Sequence, residues 1–103
     1  LFEWVIENLC KNAIDAMNGQ GKIILRVSEQ ERQVYIEVED TGKGISKSNY
    51  KTVFTPGFTT KKRGWGLGLS LAKRIVEEYH HGRIYVKHSE LNKGTIFRIE
   101  LKK

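Results

Sequence analysis

Two asparagines near the start of the chain have a type and a spacing suited to a metal or phosphate site. Asn8 and Asn12 are four residues apart in a helical pattern, so their carboxamides share one face of that helix. Mg²⁺ takes few protein ligands and keeps several waters, so one amide oxygen together with phosphate oxygens is chemically sufficient. Taken alone, the pair is also explained by two solvated surface residues.

A carboxylate followed by glycines ends the second predicted strand. Asp40 can accept a hydrogen bond from an exocyclic amine such as that of adenine. Gly42 and Gly44 let the chain turn sharply and approach a flat ring without interference from Cβ atoms. Thr95, which enters the last predicted strand, could support Asp40 at a purine edge, directly or through water. The alternatives are an ordinary Asp-Thr-Gly turn and a threonine that merely begins a strand.

A glycine-rich run opens the second predicted helix, at Gly64, Gly66 and Gly68. Backbone N–H groups that glycines expose at a helix N-terminus form an anion site. A dinucleotide-binding fingerprint requires the glycines to lie directly between a strand and a helix. Here a long loop precedes the glycines, so that interpretation is disfavoured.

Hydrophobic periodicity predicts the elements that position these residues. Residues 2–17 and 67–79 repeat apolar residues at helical spacing, and residues 41–66 are predicted as a long loop with at most one helical turn. Alternating apolar residues predict two hairpins, 23–27 with 34–38 and 84–86 with 97–101. This order predicts an α+β fold, a two-layer sandwich with a mostly antiparallel sheet and helices on one face.

Composition is that of one globular domain, with 39% hydrophobic and 29% charged residues among 103. A single cysteine excludes an internal disulfide and indicates a reducing compartment. No apolar run approaches the roughly 20 residues of a membrane span. Because the chain opens at Leu1 on a helical pattern, we expect residues 1–103 to be a fragment of a longer protein.

The net charge of +6 first suggests a nucleic-acid partner. Eight basic residues and no acidic residue lie between Thr41 and Val76, whereas the rest of the chain has ten basic and twelve acidic residues. The excess positive charge is therefore confined to one glycine-bearing stretch. A compact polyanion such as a triphosphate suits this distribution, and nucleic acid is not the expected partner.

Five motifs occur in succession along nearly the whole chain: Asn8–Ala13, Asp40–Gly44, Phe54–Lys61, Gly64–Leu69 and Gly94–Thr95. They closely resemble the N, G1, F, G2 and G3 boxes of the histidine-kinase catalytic domain, a member of the GHKL (Bergerat-fold) ATPases. Each motif alone is weak, but five in this order are specific. The resemblance implies a Bergerat-fold sandwich with a long ATP lid, here without the first edge strand.

The resemblance also implies roles for the matching residues, with ATP and Mg²⁺ as cofactors. Asn12 resembles the Mg²⁺ ligand and Asn8 a phosphate-side residue, while Asp40 resembles the adenine-binding aspartate. Further nucleotide contacts are implied on the purine side for Gly42, Gly44 and Thr95. On the lid and phosphate side they are implied for Phe54, Phe58, Thr59, Thr60, Lys61, Gly64, Gly66, Leu67, Gly68 and Leu69. Phe54 and Phe58 resemble lid anchors, and Lys61 resembles a catalytic phosphate contact.

The reaction that the resemblance implies is transfer of the ATP γ-phosphoryl group to a histidine. That histidine is expected in an N-terminal dimerisation domain of the same protein, with a response regulator downstream and a homodimeric parent. His80, His81 and His88 are not expected to be the acceptor, because none lies on a long exposed helix. The cytoplasm is the expected location, and anchoring of the parent in the inner membrane stays open.

Three other functions are alternatives for this sequence. A serine/threonine-type, anti-sigma-like kinase would differ in the acceptor, and a regulatory module would bind ATP without catalysis. A motor ATPase is disfavoured. In the gyrase and chaperone branches of the family that this sequence resembles, a glutamate at the position of Asn8 activates water. Glu7 is one residue away and therefore rotated by about 100° around the helix.

Overall fold

Four strands form one antiparallel sheet, and the helices pack on one of its faces. The computed structural model describes residues 2–56 and 68–102. The helices are α1 (Phe2–Ala16) and α2 (Gly68–Arg74), which continues as a π-helix (Ile75–Tyr79). The strands are β1 (Ile23–Gln30), β2 (Gln33–Asp40), β3 (Arg83–Glu90) and β4 (Gly94–Lys102). The predicted α+β sandwich and both predicted hairpins are confirmed.

The strand order β1-β2-β4-β3 places the two hairpins side by side. Their junction is an antiparallel pairing of β2 with β4, in which Asp40 lies opposite Thr95. Thr95 in turn lies opposite Ser89 of β3. The sheet thus aligns Asp40, Thr95 and Ser89 in one row across three strands, at the edge where β2 and β3 end and β4 begins.

The first helix exists because its apolar residues form one stripe. Val5, Leu9 and Ala13 are buried, and each is four residues from the next. Asn18 and Gly19 have φ values of 54° and 78°, and the Gly19 N–H donates to the Ile14 carbonyl at 3.0 Å. This left-handed pair ends the helix and turns the chain toward β1.

The core lies between the sheet and the two helices. Its buried residues include Val5 and Leu9 of α1, Val38 of β2, and Val76 after α2. Two details differ from the sequence-based expectations. The second predicted helix reaches Tyr79 but changes from α to π geometry after Arg74. Residues 41–56 contain two 3₁₀ turns, Lys47–Asn49 and Thr52–Phe54, where at most one turn was expected. In the described part of the chain, no helix is long and apolar enough to cross a bilayer.

A β-bulge interrupts β3 between Val86, which pairs with Phe97, and His88, which pairs with Ile96. Lys87 is the extra residue. Regular alternation from Ile84 and Val86 would direct His88 to the helix side. The bulge leaves both Lys87 and His88 exposed and buries Ser89 instead. The serine that follows therefore faces the helices.

The opposite face of the sheet is polar. Glu37 accepts hydrogen bonds from Lys87 Nζ and Arg98 Nε, each at 2.9 Å. These bonds, Lys87 first, hold the pKa of Glu37 below its ordinary value although burial opposes them. The two faces are therefore distinct in chemistry, with apolar residues on the helix side and compensated charges on the other.

Candidate nucleotide site

Asp40 is the last residue of β2 and points to the helix side. It follows Val38 by two residues, so both side chains are on the same face, and only 4% of Asp40 is exposed. The Gly42 N–H donates to Asp40 Oδ1 at 2.8 Å, which fixes the carboxylate. Because directly opposite residues share a face, Thr95 lies beside Asp40 and is equally buried.

Burial raises the pKa of Asp40 above its ordinary value. Hydrogen bonds from the backbone of Gly42 and Thr95 counteract this rise, and the nearby charge of Glu39 adds to it. A carboxylate with this balance is poorly solvated in the folded protein. An additional donor, such as an amine of a bound ring, would supply what burial removes.

The loop after Asp40 is attached to α1 on one side and to the β3–β4 turn on the other. The Lys43 N–H donates to the Ala16 carbonyl at 3.0 Å, and the Asn92 N–H donates to the Lys43 carbonyl at 2.8 Å. A Cβ on Gly42 would lie 2.7 Å from the Ala16 carbonyl group. Gly42 is therefore required by packing against α1, while its predicted contact with a ring stays a prediction.

Gly44 has the same structural explanation. Its φ is +78°, and a Cβ there would overlap the carbonyl oxygen of Glu90. The glycine thus allows a left-handed turn against the end of β3. Whether Gly44 also lines a bound ring stays a prediction.

Asn8 lies near the middle of α1, against the first residue of α2. A Cβ on Gly68 would lie 2.7 Å from Asn8 Nδ2, so glycine gives the amide room at this position. Asn8 Nδ2 is buried and has no hydrogen-bond partner within residues 2–56 and 68–102. An unpaired buried donor is costly, so it points to a partner beyond the described residues.

Asn12 lies between these two places. It is one helical turn, about 6 Å, from Asn8 and one turn from Ala16, where the Asp40 loop is attached. Asn12 takes part in interactions of its own in the structure. Along α1 the order is therefore Asn8 beside α2, then Asn12, then the end that contacts the Asp40 loop. Helix α1 packs on β2, the strand that ends at Asp40, so the two asparagines lie on the helix that covers this face of the sheet.

The residues of this region fit a Mg-nucleotide. The buried N–H₂ of Asn8 suits a phosphate oxygen, because phosphate only accepts hydrogen bonds at this position. The amide oxygen of Asn12 is a ligand type that Mg²⁺ accepts. Burial raises the pKa of Asp40 and leaves its carboxylate poorly solvated, so this acceptor suits an amine.

The lid segment is described only as far as residue 56. Phe54 is buried and packs edge to face on Phe97 with ring centroids 6.0 Å apart, and Lys73 Nζ lies 5.8 Å from the Phe54 ring centre. Leu69 is partly buried against the core. The burial of Phe54 suits an anchor at the base of a lid. Seven predicted site residues lie outside the described residues, namely Phe58, Thr59, Thr60, Lys61, Gly64, Gly66 and Leu67.

Two residues near Asp40 were missed by the sequence-based argument. Ser89 Oγ lies 2.7 Å from Thr95 Oγ1, and Tyr50 exchanges two hydrogen bonds with the backbone of Ser89. Strict alternation hides Ser89, because counting alternate residues from Val86 through Lys87 assigns Ser89 to the face away from the helices. A possible signal was the pair of consecutive polar residues, Lys87 and His88, in a strand that otherwise alternates.

Comparison with known proteins agrees with this geometry. The family model described as Histidine kinase-, DNA gyrase B-, and HSP90-like ATPase matches residues 1–103. The sensor histidine kinase ZraS of Salmonella typhi is 45% identical over 98 residues. This match covers 94% of the present chain but only 21% of ZraS, so the chain spans about a fifth of that relative.

Solved structures give the same result. The nucleotide-free catalytic domain of histidine kinase ThkA has a TM-score of 0.83 at 36% identity, covering 96% of this chain and 64% of that one. ThkA in complex with the response regulator protein TrrA gives a TM-score of 0.80 at 33% identity, covering 96% and 27%. With a family model that matches its full length and relatives of this identity, the chain belongs to the family of histidine kinase-, DNA gyrase B- and HSP90-like ATPases, within it to the sensor histidine kinase catalytic domains.

Proposed function

We propose that this domain binds Mg-ATP and presents the γ-phosphoryl group to a histidine on a separate dimerisation domain of the same protein. The observation that carries the proposal is the arrangement along α1. A buried acceptor, Asp40, lies where its loop contacts the end of α1 at Ala16. A buried donor without a partner in the described residues, Asn8 Nδ2, lies about two turns earlier on that helix. Kinship with sensor histidine kinases supports the same assignment.

Each residue has a distinct task. Asp40 binds the exocyclic amine of the purine, and Thr95 assists it from the neighbouring strand. Asn8 donates to a phosphate oxygen, while Asn12 offers the amide oxygen for the metal. The bound Mg²⁺ supplies charge neutralisation of the triphosphate. Phosphoryl transfer needs mainly positioning and electrostatic stabilisation from the protein, which these residues provide.

Hydrolysis is less well supported than transfer to a protein side chain. Water activation requires a base that faces the phosphates, and the residue that faces α2 on this turn is the amide Asn8. Glu7 is exposed on α1 and is rotated by about 100° from Asn8. The position of the carboxylate therefore favours an acceptor that another domain brings.

The proposed partners follow from this chemistry and from the relatives. An acceptor histidine outside the domain implies a dimerisation domain and a homodimeric parent. The histidine kinase ThkA was crystallised with a response regulator, and we propose a response regulator as the next acceptor here. We further propose a cytoplasmic location for the domain, where ATP is available, and leave membrane anchoring of the parent protein to experiment.

The decisive experiment supplies γ-labelled ATP to the protein in the presence and absence of the proposed dimerisation domain. We expect label on that domain alone, in an acid-labile and base-stable linkage, as a phosphohistidine gives. A Glu31→Gln variant, altered at an exposed turn residue, serves as the matched control and should transfer label normally. Acid-stable label would indicate a serine or threonine acceptor, and free phosphate alone would indicate an ATPase. Either result would overturn the proposal.

A further inference from the structure

Three hydroxyl groups form a hydrogen-bonded cluster beside Asp40. Thr95 lies opposite Asp40, Ser89 lies opposite Thr95, and Tyr50 contacts Ser89 from the loop. Ser89 and Thr95 are 9% and 4% exposed, so both hydroxyl groups need partners inside the protein. Neither Ser89 nor Tyr50 belongs to the five motifs in the sequence.

Ser89 Oγ has three hydrogen-bonding neighbours but only one proton to donate. It accepts from the Ile45 N–H at 2.7 Å, and it lies 3.0 Å from the Gly94 carbonyl oxygen and 2.7 Å from Thr95 Oγ1. A serine hydroxyl donates once and accepts twice. Two arrangements therefore satisfy the cluster. In one, Thr95 donates to Ser89 and Ser89 donates to Gly94; in the other, Ser89 donates to Thr95.

Tyr50 holds Ser89 in place from the outer side of β3. The Tyr50 hydroxyl donates to the Ser89 carbonyl, and the Ser89 N–H donates to Tyr50 Oη, both at 2.7 Å. In the described sheet β3 is an edge strand, so these backbone groups have no neighbouring strand. The phenol takes the place of that strand and fixes the residue whose side chain reaches Thr95.

We infer that Ser89 is a positioning residue that lets Thr95 act as a hydrogen-bond donor to the purine ring; this inference rests on the proposed function. Without nucleotide, Thr95 donates to Ser89. When a ring nitrogen lies beside Asp40, the Thr95 hydroxyl turns toward it, and the Ser89 hydroxyl turns from Gly94 to Thr95. Only hydrogens move, and both buried hydroxyls keep a partner in each state.

The arrangement determines which base is bound. Asp40 as acceptor and Thr95 as donor match an amine beside an unprotonated ring nitrogen, as in adenine. Hypoxanthine presents a carbonyl beside a ring N–H, which reverses both contacts. A site built to pair with one hydrogen-bonding pattern discriminates strongly against the reversed pattern. Ser89 thus contributes to base selectivity without touching the base.

The test is a double-mutant cycle on nucleotide affinity, measured by calorimetric titration with Mg-ATP and with Mg-ITP. Ser89→Ala and Thr95→Val should each weaken ATP binding by about tenfold, the value of one buried hydrogen bond, and should leave ITP binding within about twofold. The double variant should bind ATP no more weakly than either single variant, because Ser89 acts through Thr95. The inference would be overturned by additive losses of ATP affinity in the double variant. It would also be overturned if Ser89→Ala left the ratio of ATP affinity to ITP affinity unchanged.

Controls separate this result from misfolding and from failure of the proposed function. Ser28→Ala, at an exposed serine of β1, should leave both affinities unchanged. If Ser89→Ala does not fold, Tyr50→Phe replaces it. In that variant the ratio of ATP affinity to ITP affinity should fall about threefold, and the Ser89 amide hydrogen should exchange faster with solvent. An unchanged ratio of affinities overturns the inference. A wild-type protein that binds no ATP refutes the proposed function and the inference together, whereas ATP binding with additive losses refutes the inference alone.

Discussion

At the end of the site next to Asp40, the polar groups form hydrogen bonds with one another. At the end next to Asn8, a buried donor has no hydrogen-bond partner in the described residues. Gly42 N–H fixes Asp40, and Ser89 joins Ile45, Gly94 and Thr95. Asn8 Nδ2 has no partner within the described residues. In the proposed site, the purine end is therefore preorganised, and a bound ligand would complete the phosphate end. Changes that disturb the backbone packing at the first end should damage the fold, and changes at the second end should mainly affect binding.

The largest effect is expected where the purine end is most crowded. Gly94 has φ +131°, and a Cβ there would overlap the carbonyl oxygen of Asp40. Gly94→Ala should lower the free energy of unfolding by about 3 kcal/mol, since the clash is with backbone that cannot move aside. Denaturant unfolding measures the change.

Two other glycines serve as comparisons for Gly94→Ala. Gly19 has φ +78° with nothing within 4 Å of an added Cβ, so Gly19→Ala should cost only about 1 kcal/mol. Gly68 would meet the side chain of Asn8, which can turn, so Gly68→Ala should cost less than about 1 kcal/mol while weakening Mg-ATP binding. If Gly68→Ala destabilised the fold as much as Gly94→Ala, the contrast between the two ends would be wrong.

The second largest effect is expected for Asp40→Asn. Loss of a charged acceptor should lower ATP affinity about 100-fold, measured by calorimetry. The fold should not suffer, because asparagine keeps an oxygen for the Gly42 N–H. The comparison would fail at this point if Asp40→Asn bound ATP as the wild type does.

The pH dependence of the free energy of unfolding, measured without ligand, tests how ionisation of Asp40 affects stability. Burial raises the pKa of Asp40 in the folded state, so its stabilising contribution is present below the unfolded pKa and is lost as pH rises through the folded pKa. At pH 7 the ionised carboxylate therefore lowers the free energy of unfolding. Asp40→Asn should melt at a higher temperature than wild type at pH 7, and the difference should shrink toward pH 4. A lower melting temperature at pH 7 would contradict this account.

The smallest effect is expected at Asn8. Asn8→Leu removes a buried amide nitrogen that has no partner among residues 2–56 and 68–102. The variant should raise the free energy of unfolding by about 1 kcal/mol, while Mg-ATP affinity falls about tenfold. Asn12→Leu is the matched control, because Asn12 makes interactions within the structure and should lose stability. Thermal melting and titration of both variants measure the difference. Equal stability changes in the two variants would remove the distinction between a paired and an unpaired amide.

The sequence predicted local elements better than it predicted their junctions. Helix α1 and both hairpins follow from periodicity, and Asp40 was located at a strand end before the fold was known. The β2–β4 pairing joins residues distant in sequence, so no local pattern encodes that Asp40 lies opposite Thr95. Ser89 was missed because a bulge reverses the alternation on which the sequence argument relied.

For two of the predicted site residues, the structure gives a packing reason different from the one expected, and their site role stays a prediction. Gly42 and Gly44 were predicted from their fit to a flat ring, yet in the structure their missing Cβ atoms make room for α1 and for the end of β3. A motif can therefore identify a site while leaving the physical role of its members open. Only coordinates show which neighbour a glycine accommodates.

The extra residue in β3 has a consequence for how this domain can vary. Lys87 is one residue more than β4 opposes, and its side chain donates to Glu37 on the outer face. A chain lacking Lys87 would pair Val86 and His88 regularly with their present partners, and Ser89 would keep its place opposite Thr95. The outer surface can thus gain or lose a cation without a change in the residues that face the helices.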